Sequence, residues 1–429
     1  MSDRIAIVDG IRTPMAKAGT VLKNIQADDL GAWVLRELRI RSKFPDKPVD
    51  EVIMGCVAQP VHAANVARVI SLKAGFDKSV PAFTVHRNCA SGIESVVDGW
   101  YRIRLGVAQH VIAGGVESMS NIPLLYNKEM TGLFEKLMKA KSIGERLSAL
   151  GSFRPRYLKP VIGLLQGLTD PICGEIMGMT AENLAREFYI NRDEQDQFAL
   201  ESHQKAAAAI EAGAFKEEVM ACPIPGTNTV FETDNGPREN QSMEALAKLK
   251  PYFDRKNGTV TVGTSSQVTD AAAGLVLAPE SWVKSEGIKP LGYIKAAATA
   301  GCDPSRMGLG PVYATHKVFK ETGLGLKDMG IIEMNEAFAA QVLANVKAFA
   351  SREFAEAELG TSEPLGEIDP AKLNPQGGAI ALGHPLGMTG TRLILTTLKQ
   401  MQANNLEYGL ATCCIGGGQG SSMILEAAE

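Results

Sequence analysis

No two cysteines in this chain are spaced C-x-x-C, and no H-E-x-x-H run occurs. A structural zinc site is therefore not expected. The seven cysteines (Cys56, Cys89, Cys173, Cys222, Cys302, Cys413 and Cys414) are odd in number and scattered. Such a set does not form a disulfide framework, and a reduced, cytoplasmic protein is expected. No apolar run approaches the roughly 18 residues of a membrane-spanning helix. The opening MSDRIAIVDG lacks the basic and apolar regions of a secretory signal. Net charge is -4, which gives no global reason to expect nucleic acid as a partner.

Glycine is what the chain has in quantity, with 43 residues, as enzymes use for tight turns and close backbone approaches. The length of 429 residues suits two or three domains. Short β-rich runs alternate with helical patterns. Arg4–Val8 reads as a strand before a turn at Asp9-Gly10. Glu51–Val57, Ala82–His86 and Gln109–Gly114 read as strands, with helices over His62–Gly75 and Ser91–Leu105. Near the C-terminus, Gly330–Met334 and Leu406–Cys414 read as strands, and Glu336–Phe349 and Arg392–Ala403 as helices. This alternation predicts an α/β layered fold with parallel pairing. A layout recurs. Cys89-Ala-Ser-Gly precedes Val111–Gly115 in the first part, and His384-Pro-Leu-Gly precedes Tyr408–Gly418 in the second. Either the chain contains an internal duplication, two α/β halves facing each other, or the likeness is that of any two βαβ units.

Residues 119–250 differ from both flanks. Within 131–160, Lys136, Lys139, Lys141, Arg146, Arg154, Arg156 and Lys159 face only Glu135 and Glu145, with Leu133, Phe134, Leu137, Met138, Leu147, Leu150, Phe153 and Leu158 interleaved. A basic amphipathic stretch is either a solvated lid or a surface for phosphates, a lipid headgroup layer or a partner protein.

Three segments can carry chemistry. Cys89 sits where a strand ends and a helix begins. Free N–H groups and the helix dipole there are expected to lower a thiol's pKa. A buried structural cysteine is the competing reading. His384 lies in a tight loop between Gly383 and Pro385, suited to a base or carbonyl-polarising role, or else to a hydrogen-bonded structural histidine. Cys413-Cys414-Ile-Gly-Gly-Gly offers a second thiol beside backbone N–H groups that could hold an oxyanion. The rival, a phosphate loop, would need a Lys-Ser/Thr ending that is missing.

Together these segments resemble the thiolase family. The resemblance rests on Cys89-Ala-Ser-Gly, Gly-Gly-Ala-Ile-Ala-Leu-Gly-His384-Pro, Cys414-Ile-Gly-Gly-Gly, Asn335-Glu-Ala-Phe-Ala, Arg12-Thr13-Pro14 and the strand-loop Gly258-Thr-Val-Thr-Val-Gly263, in family order along the whole chain. It implies a five-layered αβαβα duplication with an inserted loop domain. The halves would be 1–118, completed by about 251–275, and 276–429, with the loop domain at 119–250. It implies that Cys89 attacks the acyl carbonyl, that His384 activates Cys89 and helps hold an oxyanion, and that Cys414 moves a proton. Asn335 would position a water in one oxyanion hole. The N–H groups of Cys89 and Gly416 would form the other.

The resemblance further implies acyl-CoA and coenzyme A as substrates, with no tightly bound cofactor and no metal. Ser266 would contact the pantetheine arm. Met177 and Phe338 would form apolar walls, and Phe253 would cover the arm. The family usually has Asn where Thr264 stands and Gly where Ala271 stands. Because Cys413 adjoins Cys414, the proton-moving role goes to the one directly before Ile415-Gly416. A homodimer or tetramer is implied. The Lys136–Lys159 segment is similar to the insertion of trifunctional-complex thiolases, which pair with a hydratase–dehydrogenase subunit and touch membranes, although that subgroup usually has His in place of Asn335. The resulting expectation is a 3-ketoacyl-CoA thiolase of fatty-acid β-oxidation, an acetyl-CoA C-acyltransferase. The alternatives are a biosynthetic acetoacetyl-CoA thiolase, a catalytically dead lipid-carrier-like protein, and a condensing enzyme, which would pair one Cys with two His.

Overall fold

A computed structural model describes residues 3–41 and 49–428. In chain order the first half contributes β1 (Ile5–Arg12), α1 (Ala27–Arg41), β2 (Glu51–Gly55), α2 (Val66–Lys73), β3 (Ala82–Val85), α3 (Ser91–Arg104) and β4 (Val111–Ser118). An insertion follows, with α4 (Lys128–Lys139), α5 (Ile143–Gly151), α6 (Gly163–Gly167), α7 (Met177–Glu187) and α8 (Arg192–Glu211). The chain then returns as β5 (Thr269–Pro279). The second half contributes β6 (Gly292–Gly301), α9 (Gly310–Thr322), β7 (Ile331–Met334), α10 (Ala339–Ala350), α11 (Leu386–Asn404), β8 (Tyr408–Ile415) and β9 (Gln419–Ala427).

The duplication is visible strand by strand. The first half orders its strands β1-β5-β4-β2-β3, and the second β6-β9-β8-β7. In the second half a parallel bridge from Ile332 to Leu373 stands where β3 stands in the first. The hands match too: β1–β5 and β5–β4 are antiparallel and β4–β2 parallel, as β6–β9, β9–β8 and β8–β7 are. The halves join where β1 pairs with β6. The expected parallel pairing holds for β4–β2, β2–β3 and β8–β7, and the antiparallel pairs make the sheet mixed. β9 follows β8 through the three-residue turn Gly416–Gly418, and so short a connection can only reverse the strand.

Side-chain alternation builds the layers. In β1, Ala6 and Val8 face α1 and α2, while Ile5 and Ile7 face the central core. That core holds Ile93, Val96, Trp100 and Ile103 of α3 and Leu393, Ile394 and Leu398 of α11. The outer face of the second sheet packs on α7, α9 and α10 through Leu184, Val312, Phe319, Val342 and Phe349. The result is five layers, with α3 and α11 sandwiched between the two halves of one continuous sheet.

Several local expectations shift. β1 runs to Arg12, and Asp9-Gly10 marks a bulge rather than a turn, with the register slipping between Ile7 and Asp9. The helix expected over His62–Gly75 occupies Val66–Lys73, capped by the Asn65 side chain on Arg68 N–H. α10 begins at Ala339 because Asn335–Ala337 connect it to β7, and α11 begins at Leu386, six residues before Arg392. Residues 258–263 contain no strand. Their N–H groups at Thr259 and Val260 are taken by the buried Glu182 carboxylate. The insertion is anchored by Arg12, which is fully buried and pairs with Glu218 at 2.8 Å and Asp234 at 2.7 Å. Among the described residues no helix is long and apolar enough to cross a membrane.

Candidate active site

Cys89, His384, Cys414, Gly416, Ser266, Met177, Phe253 and Phe338 all line one cavity of about 390 Å³. They come from loops and strand ends up to 327 positions apart in the chain. Asn335 stands behind them, fully buried, with Nδ2 3.4 Å from His384 Nε2. Among the described residues no cluster of three or more His, Cys, Asp or Glu side chains is gathered to hold a metal ion.

Cys89 lies two residues before α3. Its position is set by Asn88, which adopts a left-handed φ of 43° and donates its amide to Gly416 O at 2.7 Å. Asn tolerates this conformation better than most residues. The contact ties the Cys89 loop of the first half to the glycine turn of the second. Gly92 is required next, since a Cβ there would meet Thr391 N at 2.6 Å. The expected lowering of the thiol pKa is not what the structure supports. Burial in the apolar cavity pushes Cys89 up to about 11, although the N–H groups of Gly416 and of Cys89 itself, directed at the sulfur, pull the other way. The helix start supplies donors, but the dry surroundings outweigh them.

Alternation along β8 separates the adjacent thiols. Cys414 faces the cavity and Cys413 faces the central core. Burial pushes the Cys414 thiol far up, and the neighbouring Cys89 adds to this. His384 is held on three sides: its N–H donates to Gln267 O at 2.9 Å, Nδ1 lies 2.7 Å from Thr389 Oγ, and Nε2 meets Asn335. Burial, with Arg392 nearby, pushes its pKa down to about 3, so the imidazole is neutral. Asn335 donates its backbone N–H to Thr412 O, and its Oδ1 has no protein partner. A buried amide oxygen in that state is suited to hold a water.

The apolar wall is built by aromatic packing. Phe253 and Phe338 meet edge to face at 5.9 Å, and Phe253 meets Tyr252 at 5.0 Å. Gly178 makes room, since a Cβ there would lie 2.3 Å from the Phe253 ring. Ser266 is placed by its N–H bond to Ala337 O. Sequence reasoning missed Leu164, Leu165 and Leu168 of the α6 region, together with Met119, Ile176 and Val262, which extend this wall. The signal was present in the apolar run from Val161 to Leu168. Thr389 was also missed, because nothing in the sequence sets it apart from Thr391, Thr396 and Thr397 of the same helix.

The Lys136–Lys159 segment does not join this cavity. It forms α4, α5 and a following turn in which only Leu133 and Ala149 are buried. Met138, Leu147, Leu150 and Leu158 are exposed, Met138 by 79%.

Residues 5–281 match the family described as thiolase, N-terminal domain, and residues 288–427 match thiolase, C-terminal domain. The chain is 41% identical over 425 residues to a 3-ketoacyl-CoA thiolase of Shewanella halifaxensis, covering 99% of this chain and 97% of that protein. It is 40% identical, with the same coverage, to one of Shewanella pealeana. Among solved structures it is similar to the Bacillus anthracis acetyl-CoA acetyltransferase, with a TM-score of 0.87 and 35% identity over 99% of each chain. It is also similar to human mitochondrial 3-ketoacyl-CoA thiolase solved in complex with CoA, with a TM-score of 0.85 and 34% identity over 100% of this chain and 98% of that one.

Proposed function

The chain belongs to the thiolase family, and on that premise we propose that it is a 3-ketoacyl-CoA thiolase whose acyl group is carried on Cys89. The observation that carries the reading is the meeting of two thiols and a neutral histidine around one apolar cavity. In thiolysis the Cys89 proton passes to His384, and the sulfur attacks the 3-keto carbon. The C2–C3 bond breaks, leaving an acyl–Cys89 thioester and the enolate of acetyl-CoA, which takes a proton from Cys414. The CoA thiol then gives its proton to the Cys414 thiolate and attacks the thioester, Cys89 leaves and takes back the proton held by His384, and the shortened acyl-CoA departs. Two N–H groups, of Cys89 and Gly416, serve one oxyanion, and Asn335 with a water and His384 serves the other. One such donor is typically worth roughly 3–4 kcal/mol.

The pantetheine arm is assigned to Ser266, Met177, Phe253 and Phe338. The degradative direction is supported by the leucines of the α6 region, which add apolar wall to the cavity that holds Cys89. The chain divides, in this reading, into a first half ending at Pro279, since β5 is continuous across residue 275, a loop domain at 119–250, and a second half from β6 onward. All seven cysteines are free, which supports a reducing compartment such as the cytosol, in β-oxidation. A homodimer or tetramer is proposed. The exposed α4–α5 face is proposed to meet a membrane surface or a hydratase–dehydrogenase subunit.

The test is turnover of 3-ketoacyl-CoA thioesters of graded length with free CoA, with mass spectrometry of the trapped enzyme. Cleavage at several lengths with an acyl adduct on the Cys89 peptide is expected. Activity confined to acetoacetyl-CoA would favour the biosynthetic alternative, and no cleavage at any length would end the reading.

A further inference from the structure

Glu117, near the end of β4, is a fully buried carboxylate, and its bonds are unusually long in range. Oε1 accepts from Ala58 N–H at 2.9 Å, and Oε2 accepts from Val57 N–H at 3.1 Å. Oε2 also accepts from Gly387 N–H at 2.8 Å, across 270 positions and from the other half of the molecule. The Cys56 thiol lies 3.8 Å from Oε1.

Gly387 is the second residue of α11. The first amides of a helix have no partner inside it and need an acceptor from elsewhere. The N-cap of α11 is Pro385, whose side chain makes no capping bond. The missing acceptor comes from Glu117. Gly387 also has no freedom to move, because a Cβ there would lie 2.8–2.9 Å from Cys56 Cα, Val116 O and Gly55 O. The start of α11 is therefore wedged against β2 and β4 and pinned by one carboxylate. His384 lies three residues before Gly387, and Thr389, which holds His384 Nδ1, lies two residues after it.

We propose that Glu117 is a positioning residue for the acyl-transfer reaction: it caps α11 from the opposite half and so fixes the His384–Thr389 pair relative to Cys89. The proposal rests on Cys89 being the nucleophile and His384 its base. A buried carboxylate is costly unless its hydrogen bonds are satisfied. Here one partner is the start of α11, which carries Thr389 and follows His384, and the other is the Val57-Ala58 loop, whose neighbour Gly55 packs against Ser91 at the start of α3, two residues from Cys89. Burial is what chiefly keeps the Cys89 thiol protonated, and the Glu117 charge adds a smaller push in the same direction.

The experiment uses the full chain with E117Q and E117D. Gln keeps the shape but removes the charge and one acceptor. Asp keeps the charge but is one methylene short. For E117Q we expect a melting temperature lowered by a few degrees, because at least one buried N–H loses its acceptor, with KM for CoA within about threefold and kcat per folded molecule lower by roughly 10–100-fold, the scale of an ångström's misplacement. Iodoacetamide labelling of Cys89 against pH should show a lower midpoint once the charge is gone. E117D should restore that midpoint while kcat stays depressed. If kcat per folded molecule is unchanged in E117Q, or the labelling midpoint does not move, the proposal is overturned. Should wild type itself fail to cleave any 3-ketoacyl-CoA, the proposed function is at fault, and the labelling comparison still decides whether Glu117 acts on Cys89.

Discussion

The imidazole Nδ1 of His384 lies 2.7 Å from the hydroxyl oxygen of Thr389, and that hydroxyl lies 3.1 Å from Pro385 O one turn back in the chain. A carbonyl can only accept, so for both contacts to be hydrogen bonds the hydroxyl donates to Pro385 and accepts from Nδ1–H. This places the proton on Nδ1 and leaves the Nε2 lone pair facing Asn335 and the cavity. A histidine so arranged is ready to take a proton at Nε2.

Thr389→Val should therefore impair the base without emptying the site. The Nδ1–H would be buried with no acceptor, at about 1–3 kcal/mol. The ring would flip or tilt to relieve this, and kcat should fall by roughly 10–100-fold. Thr389→Ser keeps the acceptor and should retain most of the activity. Steady-state thiolysis with both variants checks this, and equal loss in the two would remove the hydroxyl from the argument.

The two cavity thiols should separate under substitution. Cys89→Ala should abolish the acyl adduct. Cys414→Ala should still acquire an acetyl group at Cys89 from acetyl-CoA, yet neither make nor break the C–C bond. Intact-protein mass spectrometry with acetyl-CoA, next to a thiolysis assay, reads both. An adduct that persists on another cysteine in Cys89→Ala would displace Cys89 from its role.

How much of this was readable beforehand differs from residue to residue. That Cys89, His384 and Cys414 gather at one cavity was legible because each is flanked by small residues or proline that mark a special backbone. The paired halves were visible as a repeated layout, and the matching strand orders bear this out. Thr389 and Glu117 were not legible, since their meaning lies in contacts made only after folding, one of them across 270 positions. The direction of the Cys89 shift was misread for a related reason. A helix start can be inferred from neighbouring residues, whereas the dryness of a cavity assembled from distant segments cannot.

That shift has a measurable sign. The Cys89 pKa is raised from 9.0 to about 11, and His384 is lowered from 6.5 to about 3, so at pH 7 the resting pair is neutral thiol and neutral imidazole. Iodoacetamide should label Cys89 slowly at pH 7, with the rate climbing through pH 9 toward 11. Stability follows from the same shifts. Between pH 9.0 and about 11 the unfolded chain has lost a proton that folded Cys89 keeps, so this contribution is lost as pH rises. Between pH 6.5 and about 3 the unfolded chain binds a proton that folded His384 refuses, so stability is lost as pH falls. A His384→Asn variant should show a shallower acid-side loss in denaturant titrations. An unchanged slope would contradict the buried neutral histidine.

Chain length should be read by the leucines of the α6 region. If the acyl tail runs along Leu164, Leu165 and Leu168, each buried methylene adds about 0.8 kcal/mol, or roughly fourfold in kcat/KM, until the wall ends. Leu168→Trp should shorten that rise and leave acetoacetyl-CoA cleavage near the wild-type rate. A profile unaltered at every length would place the tail elsewhere.

The α4–α5 face tests the proposed surface partner. Two amphipathic helices leave Met138, Leu147 and Leu150 in solvent beside Lys136, Lys139 and Lys141, and among the described residues only Glu135 pairs with one of these lysines, at 3.5 Å from Lys139. A basic helix with an exposed apolar side binds an anionic bilayer through both parts, and each lysine near such a surface is worth roughly 1 kcal/mol at moderate salt. Replacing all three lysines with Glu should therefore weaken binding to phosphatidylserine-containing vesicles by about 100-fold or more. Binding of the wild type should fall steeply as salt is raised. Met138→Ser with Leu147→Ser should weaken binding in a way that salt does not mimic. Acetoacetyl-CoA turnover should be spared in every variant, because this face lies outside the cavity that holds Cys89. If wild type and the triple variant sediment equally with vesicles but differ in capture by a hydratase–dehydrogenase subunit, the surface belongs to the protein partner. If neither differs, α4 and α5 form a solvated lid.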